Sequence, residues 1–177
     1  TFTRNQIDEL MAPIRKTALN LFHVQRRLPH KLTYGTVERW GLGIRDPYQL
    51  QLTFHLQSIL RHAHMDTPSN DLHAENMDLT QLYVGSSAPF WELPYPTYGA
   101  LAPTGWMKST WEALHDTPLT IQGPDITVPT QRTFDTHLMD IFIANDCDAI
   151  DTLNQCRLFE GATTVADLAT ACGNYLE

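Results

Sequence analysis

The sequence predicts a mainly α fold: a helical bundle with one small β-hairpin and a proline-rich crossing. Two observations lead there. The stretch Glu38–His64, ERWGLGIRDPYQLQLTFHLQSILRHAH, contains a helix signal complete from start to stop. Apolar residues recur at helical spacing in several further segments, whereas alternation with period two is confined to residues 119–128. With 42% apolar and 18% charged residues over 177 positions, the chain has a globular composition and enough length for one well-buried core or a small domain with a docked extension.

Thr3 to Gln6 (T-R-N-Q) reads as a capping box opening a short helix that Pro13 interrupts. Pro13 can begin a second helix, in which Ile14, Ala18, Leu21, Phe22 and Gln25 share a face and Pro29 is the stop. Residues 30–45 read as a connector, extended around Leu32–Val37. The next helix has Asp46 as N-cap and Pro47 at its first position. Its stripe is Leu52, Leu56, Ile59, Leu60 and Ala63, widened by Leu50 and Phe54, and Arg61 near the end suits the helix dipole.

Met65–Asn76 then reads as a polar loop before a short helix, Met77–Val84, stopped by Gly85. Four prolines and four aromatics fill Ala88–Pro103. Such a crossing resembles a proline-motif ligand, but an ordered connector whose aromatics plug the core fits the composition better. Thr104 is expected to cap a helix with Met107, Thr110, Trp111 and Leu114 on one face. Leu119–Ile121 and Ile126–Val128 flank Q-G-P-D as the hairpin. A helix over about 130–145 should bury Phe134, Leu138, Ile141 and Phe142. Helices near Asp151–Glu160 and Thr164–Cys172 follow, the second with a Thr164/Asp167 cap and a Gly173 stop.

Charge divides the chain into a basic helical arm with its scaffold helix (1–64) and an acidic, mostly helical body (65–177). Thr1–His64 holds nine Lys/Arg against four acids, and Met65–Glu177 holds three against sixteen, which together make the net −8. A basic third suits contact with a polyanion and an acidic remainder repels one. A balance of +5 over such a length is also what an ordinary solvated surface carries.

Chemistry-bearing patterns are sparse. His62 and His64 point about 200° apart on a helix, and His55 and His62 are two turns apart, so neither pair reads as a metal site. Cys147, Cys156 and Cys172 form no C-x-x-C pair and read as core thiols. Their odd number argues for a reducing compartment, and hence an intracellular protein, cytoplasmic or nuclear. The acidic run Asp140, Asp146, Asp148, Asp151 lacks the glycine and terminal Glu of a calcium loop. No P-loop, G-x-S-x-G, G-x-G-x-x-G or H-E-x-x-H is present, nor adjacent aspartates for two-metal chemistry. The expectation is no catalytic residue, no metal and no cofactor in this stretch. No apolar run reaches the ~20 residues of a membrane span. A start at Thr1 without Met suggests a piece of something longer.

The junction nevertheless carries a likeness. R-W-G-L-G-I-R-D-P-Y-Q-L-Q, with L-P-H-K-L before it and L-R-H-A-H-M-D-T-P, L-T-Q-L-Y-V-G, W-M-K-S-T-W-E-A-L, L-N-Q-C-R-L-F and T-V-A-D-L-A after it, resembles the thumb and connection segment of non-LTR-like retroelement reverse transcriptases. That segment lies between the polymerase palm and an RNase H-like region. The words are short and scattered over nearly the whole chain, and Trp40 stands where the family has the first glycine of a pair. The resemblance implies a non-catalytic part that grips a template–primer duplex, RNA–DNA or DNA, beside its parent polymerase domain. Arg15, Lys16, Arg26, Arg27 and Lys31 would meet backbone phosphates, with Arg39 and Arg45 flanking the turn. Such contacts position the duplex without reading its sequence. The rival expectation is a helical interaction or assembly module, oligomeric and indifferent to nucleic acid, using aromatics around Phe90–Tyr98 and Trp106–Trp111. A histidine-based metalloenzyme is the weaker third.

Overall fold

The computed structural model describes residues 1–24, 28–62, 65–121, 132 and 134–169. It is mainly helical, as expected, and divides into two compact units, Thr1–Ile59 and Leu60–Glu177.

In the first unit, α1 (Arg4–Leu21) opens with the expected capping box: Gln6 N–H donates to Thr3 Oγ1 and Thr3 N–H to Gln6 Oε1. Pro13 does not interrupt it. The helix runs through, and losing one N–H to proline is tolerated where the flanking turns remain bonded. α1 buries Ile7 and Leu19, not the predicted face, and Ile14, Leu21 and Phe22 stay exposed. The stretch expected to be extended is instead a helical turn, α2 (His30–Thr33), and a 3-10 turn at Val37–Arg39. Leu32 and Val37 are exposed there, so their apolar character reflects no strand face.

α3 (Pro47–His62) begins where predicted. Asp46 caps it, Oδ1 accepting from Tyr48 N–H at 3.0 Å, while Oδ2 accepts from Arg4 Nη1 at 2.7 Å. Arg4 also stacks over the Tyr48 ring, 5.2 Å from its centroid. Gln51 completes the junction by bonding both N–H and C=O of Phe2. The start of α1 is thereby tied to the start of α3. Of the predicted stripe, Leu52 and Ile59 are buried, Leu60 and Phe54 are exposed, and Ala63 lies outside the described residues.

In the second unit, α4 (Pro68–Val84) starts well before the predicted Met77. The supposed loop D-T-P-S-N-D is its entry: Thr67 accepts from Asn70 N–H and Pro68 takes the first position. Its exposed first turns lack apolar residues at helical spacing, which hid them. Gly85 ends it at φ 68°. Buried Gln81 then shapes the following loop, its Nε2 donating to Ser86 and Ala88 carbonyls and its Oε1 accepting from Phe90 N–H.

The proline-rich crossing is an ordered connector. Pro89 precedes a 3-10 turn (Phe90–Glu92), and Pro94 precedes α5 (Tyr95–Tyr98). Phe90 is buried and packs edge-on to Trp111 of α6 (Trp106–His115) at 5.4 Å, as does Tyr95 at 5.3 Å. The predicted face Met107, Thr110, Trp111 and Leu114 is buried throughout. Gly105, not Thr104, holds the N-cap.

The small β-hairpin is not supported. Leu119–Ile121 forms no strand, and its intended partner at 126–128 lies outside the described residues. Alternation over three residues cannot hold a two-stranded ribbon without a face to pack on. An isolated bridge pairs His137 with Thr164. The helix expected over 130–145 begins at Leu138 (α7, Leu138–Ala144), and Phe134 is 98% exposed at φ 63° instead of buried. α8 (Ile150–Glu160) matches its expected span. The last predicted helix is a 3-10 turn, Val165–Asp167; residues beyond 169, Cys172 and Gly173 among them, lie outside the described residues. Cys147 is half-buried, and Cys156 is exposed and so no core thiol.

Buried Arg157 of α8 caps α4, its Nη2 donating to the Leu82 and Tyr83 carbonyls, while Asn154 Nδ2 donates to Tyr83 O. These are terminal carbonyls a helix cannot satisfy itself. Burial lowers Arg157 to about 10, so it stays charged near neutrality. Asp167 pins the turn after α8: its Oδ2 accepts from the N–H groups of Thr163 and Thr164 at 2.7 Å and from Thr164 Oγ1. Burial alone would raise this carboxyl. The Thr164 and Thr163 N–H groups, the Thr164 hydroxyl and Arg132 outweigh it, and the carboxyl sits below its ordinary value.

Asp167→Ala is therefore expected to cost about 1–2 kcal/mol near neutral pH, the usual range for removing a cap. The folded value is depressed, so this stability is present above the unfolded value of ~4 and lost as pH falls through the folded one. Urea midpoints of wild type and variant should converge as the pH is taken down into the acid range; an undiminished gap contradicts the ionised cap.

Candidate nucleic-acid interface

Unit 1 carries eight Lys/Arg and four acids. Two of the acids are committed to cations. Asp46 holds Arg4, as above, and Asp8 lies 3.8 Å from Arg4, 4.0 Å from Arg15 and 3.7 Å from His30 Nδ1. Arg15 Nη1 lies 2.7 Å from His30 Nε2. Arg15 is thus engaged within the unit, where the sequence offered it as a phosphate contact.

Lys16, Lys31, Arg39 and Arg45 are exposed and have no acid partner among the described residues. Arg26 and Arg27 lie outside the described residues. Lys31, Arg39 and Arg45 leave from one small folded loop. Leu42 N–H bonds Leu32 O at 3.0 Å, Gly43 N–H bonds Gly35 O at 2.9 Å and Gly41 N–H bonds Thr36 O at 2.8 Å. Those bonds draw residues 32–36 against 41–43. Gly43 supplies a left-handed conformation (φ 67°), and Gly41 sits so close to the Gly35 backbone that a Cβ would collide with it. Between the loop and the start of α3 lies a hollow of about 270 Å³ lined by Tyr34, Gly43, Arg45 and Gln49.

Trp40 is the residue that charge counting passes over. Held left-handed at φ 61°, it is 92% exposed, between Arg39 and the glycines. A bulky residue in that region costs roughly 1 kcal/mol or more. Chemically, the loop offers cations for phosphate oxygens and one aromatic face for a base.

The histidines lie differently. His62 stacks on His73 at 5.2 Å, and His73 meets Trp106 edge-on at 5.2 Å. Burial, then the neighbouring His62, lowers His73. His64 lies outside the described residues, and the described residues contain no group of three or more His, Cys, Asp or Glu able to hold a metal ion. No described helix is long and apolar enough to cross a membrane. Phe90 and Trp111, offered as interface aromatics, are buried within the second unit.

No family model, curated protein or solved structure matches this chain.

Proposed function

We propose that this chain is a non-catalytic, nucleic-acid-gripping thumb/connection part of a reverse-transcriptase-like protein, and that it holds an RNA–DNA or DNA duplex through unit 1. The observation that carries the reading is the exposed cation set Lys31, Arg39 and Arg45 on one loop. Two of the four acids of unit 1, Asp8 and Asp46, lie against Arg4, Arg15 and His30, and Glu38 on the same loop offsets only part of the set. Lys16, Arg26 and Arg27 extend the set along the chain. The acidic second unit (four Lys/Arg against sixteen acids) repels phosphate, which directs a polyanion to unit 1. The resemblance of the short sequence words to retroelement polymerases is what suggests the polymerase context, and with it a cytoplasmic or nuclear site of action.

Fluorescence anisotropy of a labelled RNA–DNA duplex, titrated across a salt series, tests the reading. Lys31→Ala with Arg39→Ala and Arg45→Ala should weaken binding and lower the log–log salt slope by ~0.9 for each phosphate left without its cation. Arg26→Ala with Arg27→Ala should do the same in smaller measure. Wild-type protein that leaves the duplex unbound at low salt would rule the reading out.

A further inference from the structure

Three rings from three helices meet in the second unit. His62, the last residue of α3, stacks on His73 of α4 with centroids 5.2 Å apart and planes 30° apart. His73 in turn meets Trp106, the first residue of α6, at 5.2 Å and 78°. All three residues are half-buried, and His62 Nδ1 is a buried atom with no hydrogen-bond partner among the described residues. Such a stack depends on charge. Two neutral imidazoles pack as aromatic rings, whereas two imidazolium rings at this distance repel. A protonated ring also carries N–H on both nitrogens, and on His62 the Nδ1–H would be a buried donor with nothing to accept it.

The charged groups on the three helices do not offset that repulsion. On α4, Asp71 and Glu75 are two residues either side of His73, about 200° around the helix, and both are exposed. The residues three and four away, which share its face, are Ser69, Asn70, Asn76 and Met77. On α3, Ser58 and Ile59 stand at those positions before His62; Arg61 is exposed, and His55 lies two turns back. On α6, Lys108 donates to the Ala102 carbonyl at 3.1 Å, and Ser109 and Thr110 follow Trp106 on its face. Asp66, between α3 and α4, is exposed. No carboxylate thus shares a helix face with either ring, and the charge that acts on His73 is that of His62.

We infer that the stack of His62, His73 and Trp106 is an acid-sensitive latch, which holds the last turn of α3 against α4 and α6 and releases it when both imidazoles carry a proton. The latch is a property of the second unit and is independent of what unit 1 binds. Its direction follows from His73, which burial and then His62 lower from its ordinary value. The released ring takes a proton more readily than the stacked one. The latch is therefore fully held above the ordinary value of ~6.5 and is lost as pH falls from there through the lowered value of the stacked ring. Release exposes one face of Trp106 and frees the α3 end to fray, a local opening that leaves the buried Trp111 side of α6 in place.

Amide hydrogen exchange of the full chain at about pH 8 and about pH 5, with the His73 ring followed by NMR between them, reads the latch. Protection factors, corrected for the intrinsic exchange rate, should fall at least ~10-fold on acidification at Arg61, His62 and His73, the equivalent of one pKa unit, while those of α8 change less than ~3-fold. His62→Phe keeps a ring in the stack and removes the neighbouring charge. In that variant His73 should titrate closer to its ordinary value than in wild type, and the acid-dependent fall should shrink to that of α8. His73→Phe should abolish the fall in the same way. Wild-type protection that is equal at both ends overturns the inference, and that result needs neither variant to fold. A fall that persists undiminished in both phenylalanine variants overturns it too, as does a His73 titration indifferent to His62→Phe.

Discussion

Trp111→Ala should destabilise the second unit by about 3–5 kcal/mol, the range for removing a large buried aromatic. Trp111 is 1% exposed. Its ring is met edge-on by Phe90 at 5.4 Å and Tyr95 at 5.3 Å, and its Nε1 donates to the Leu93 carbonyl at 3.3 Å. One side chain thus joins α6 to both short helical turns of the proline-rich crossing. Phe90 is fixed through its backbone N–H by Gln81, and the loop before it is held by the same side chain. Trp111→Phe keeps most of the ring packing and loses the Leu93 bond, so about 1–2 kcal/mol is expected. The contrast is Trp40→Ala. At 92% exposure that residue buries almost nothing, and its removal should change stability by no more than ~0.5 kcal/mol. Urea unfolding followed by circular dichroism separates the two, and a Trp111→Ala loss below about 1 kcal/mol would remove Trp111 as the keystone of this unit.

The same pair of tryptophans shows what was legible in the sequence. Helical spacing placed Trp111 with Met107, Thr110 and Leu114 on one face, and all four are buried. Local cap chemistry was equally readable at Thr3–Gln6, Asp46–Pro47, Gly85 and Thr164–Asp167, because each depends on residues within a turn of one another. Spacing does not say what lies against a face. Ile14, Leu21 and Phe22 have the period of a buried stripe yet are exposed, while Ile7 and Leu19 take the core positions. A polar helix start was missed for the complementary reason: Pro68–Asn76 has few apolar residues to carry a period, and only Thr67 and Pro68 announce it. Phe134 failed as a core residue because its backbone is left-handed, which periodicity does not register.

At the candidate interface, the count of cations was visible in the sequence and their availability was not. Arg15 differs from Lys31 only through partners distant in sequence: His30 at fifteen residues, beside Asp8. Asp46, read as a helix cap, also neutralises Arg4 across forty-two residues. Each such pairing takes one cation and one acid out of the exposed field together, so the net balance of unit 1 stands and the pairing decides only which cations are left facing solvent.

Gly41→Ala is the second large effect, and it links the fold of unit 1 to its proposed use. A Cβ at this position would drive into the carbonyl oxygen and Cα of Gly35. These are backbone atoms, so no side-chain rotation relieves the collision. The loop must open, and the bonds Gly41 N–H to Thr36 O, Leu42 N–H to Leu32 O and Gly43 N–H to Gly35 O are the ones that yield. A cost near ~3 kcal/mol is expected, the upper part of the range for forced repacking. Hydrogen exchange should show these three amides losing protection while the amides of α6 and α8 keep theirs. Gly105→Ala is the control, since a Cβ there meets nothing within 4 Å and the extended backbone accepts any residue. If Lys31, Arg39 and Arg45 act on a duplex as a set, opening the loop should weaken duplex binding although no charge has changed. Should Gly41→Ala lose these protections yet bind the duplex with wild-type affinity and salt slope, the cations act singly, and the folded loop has no part in the grip.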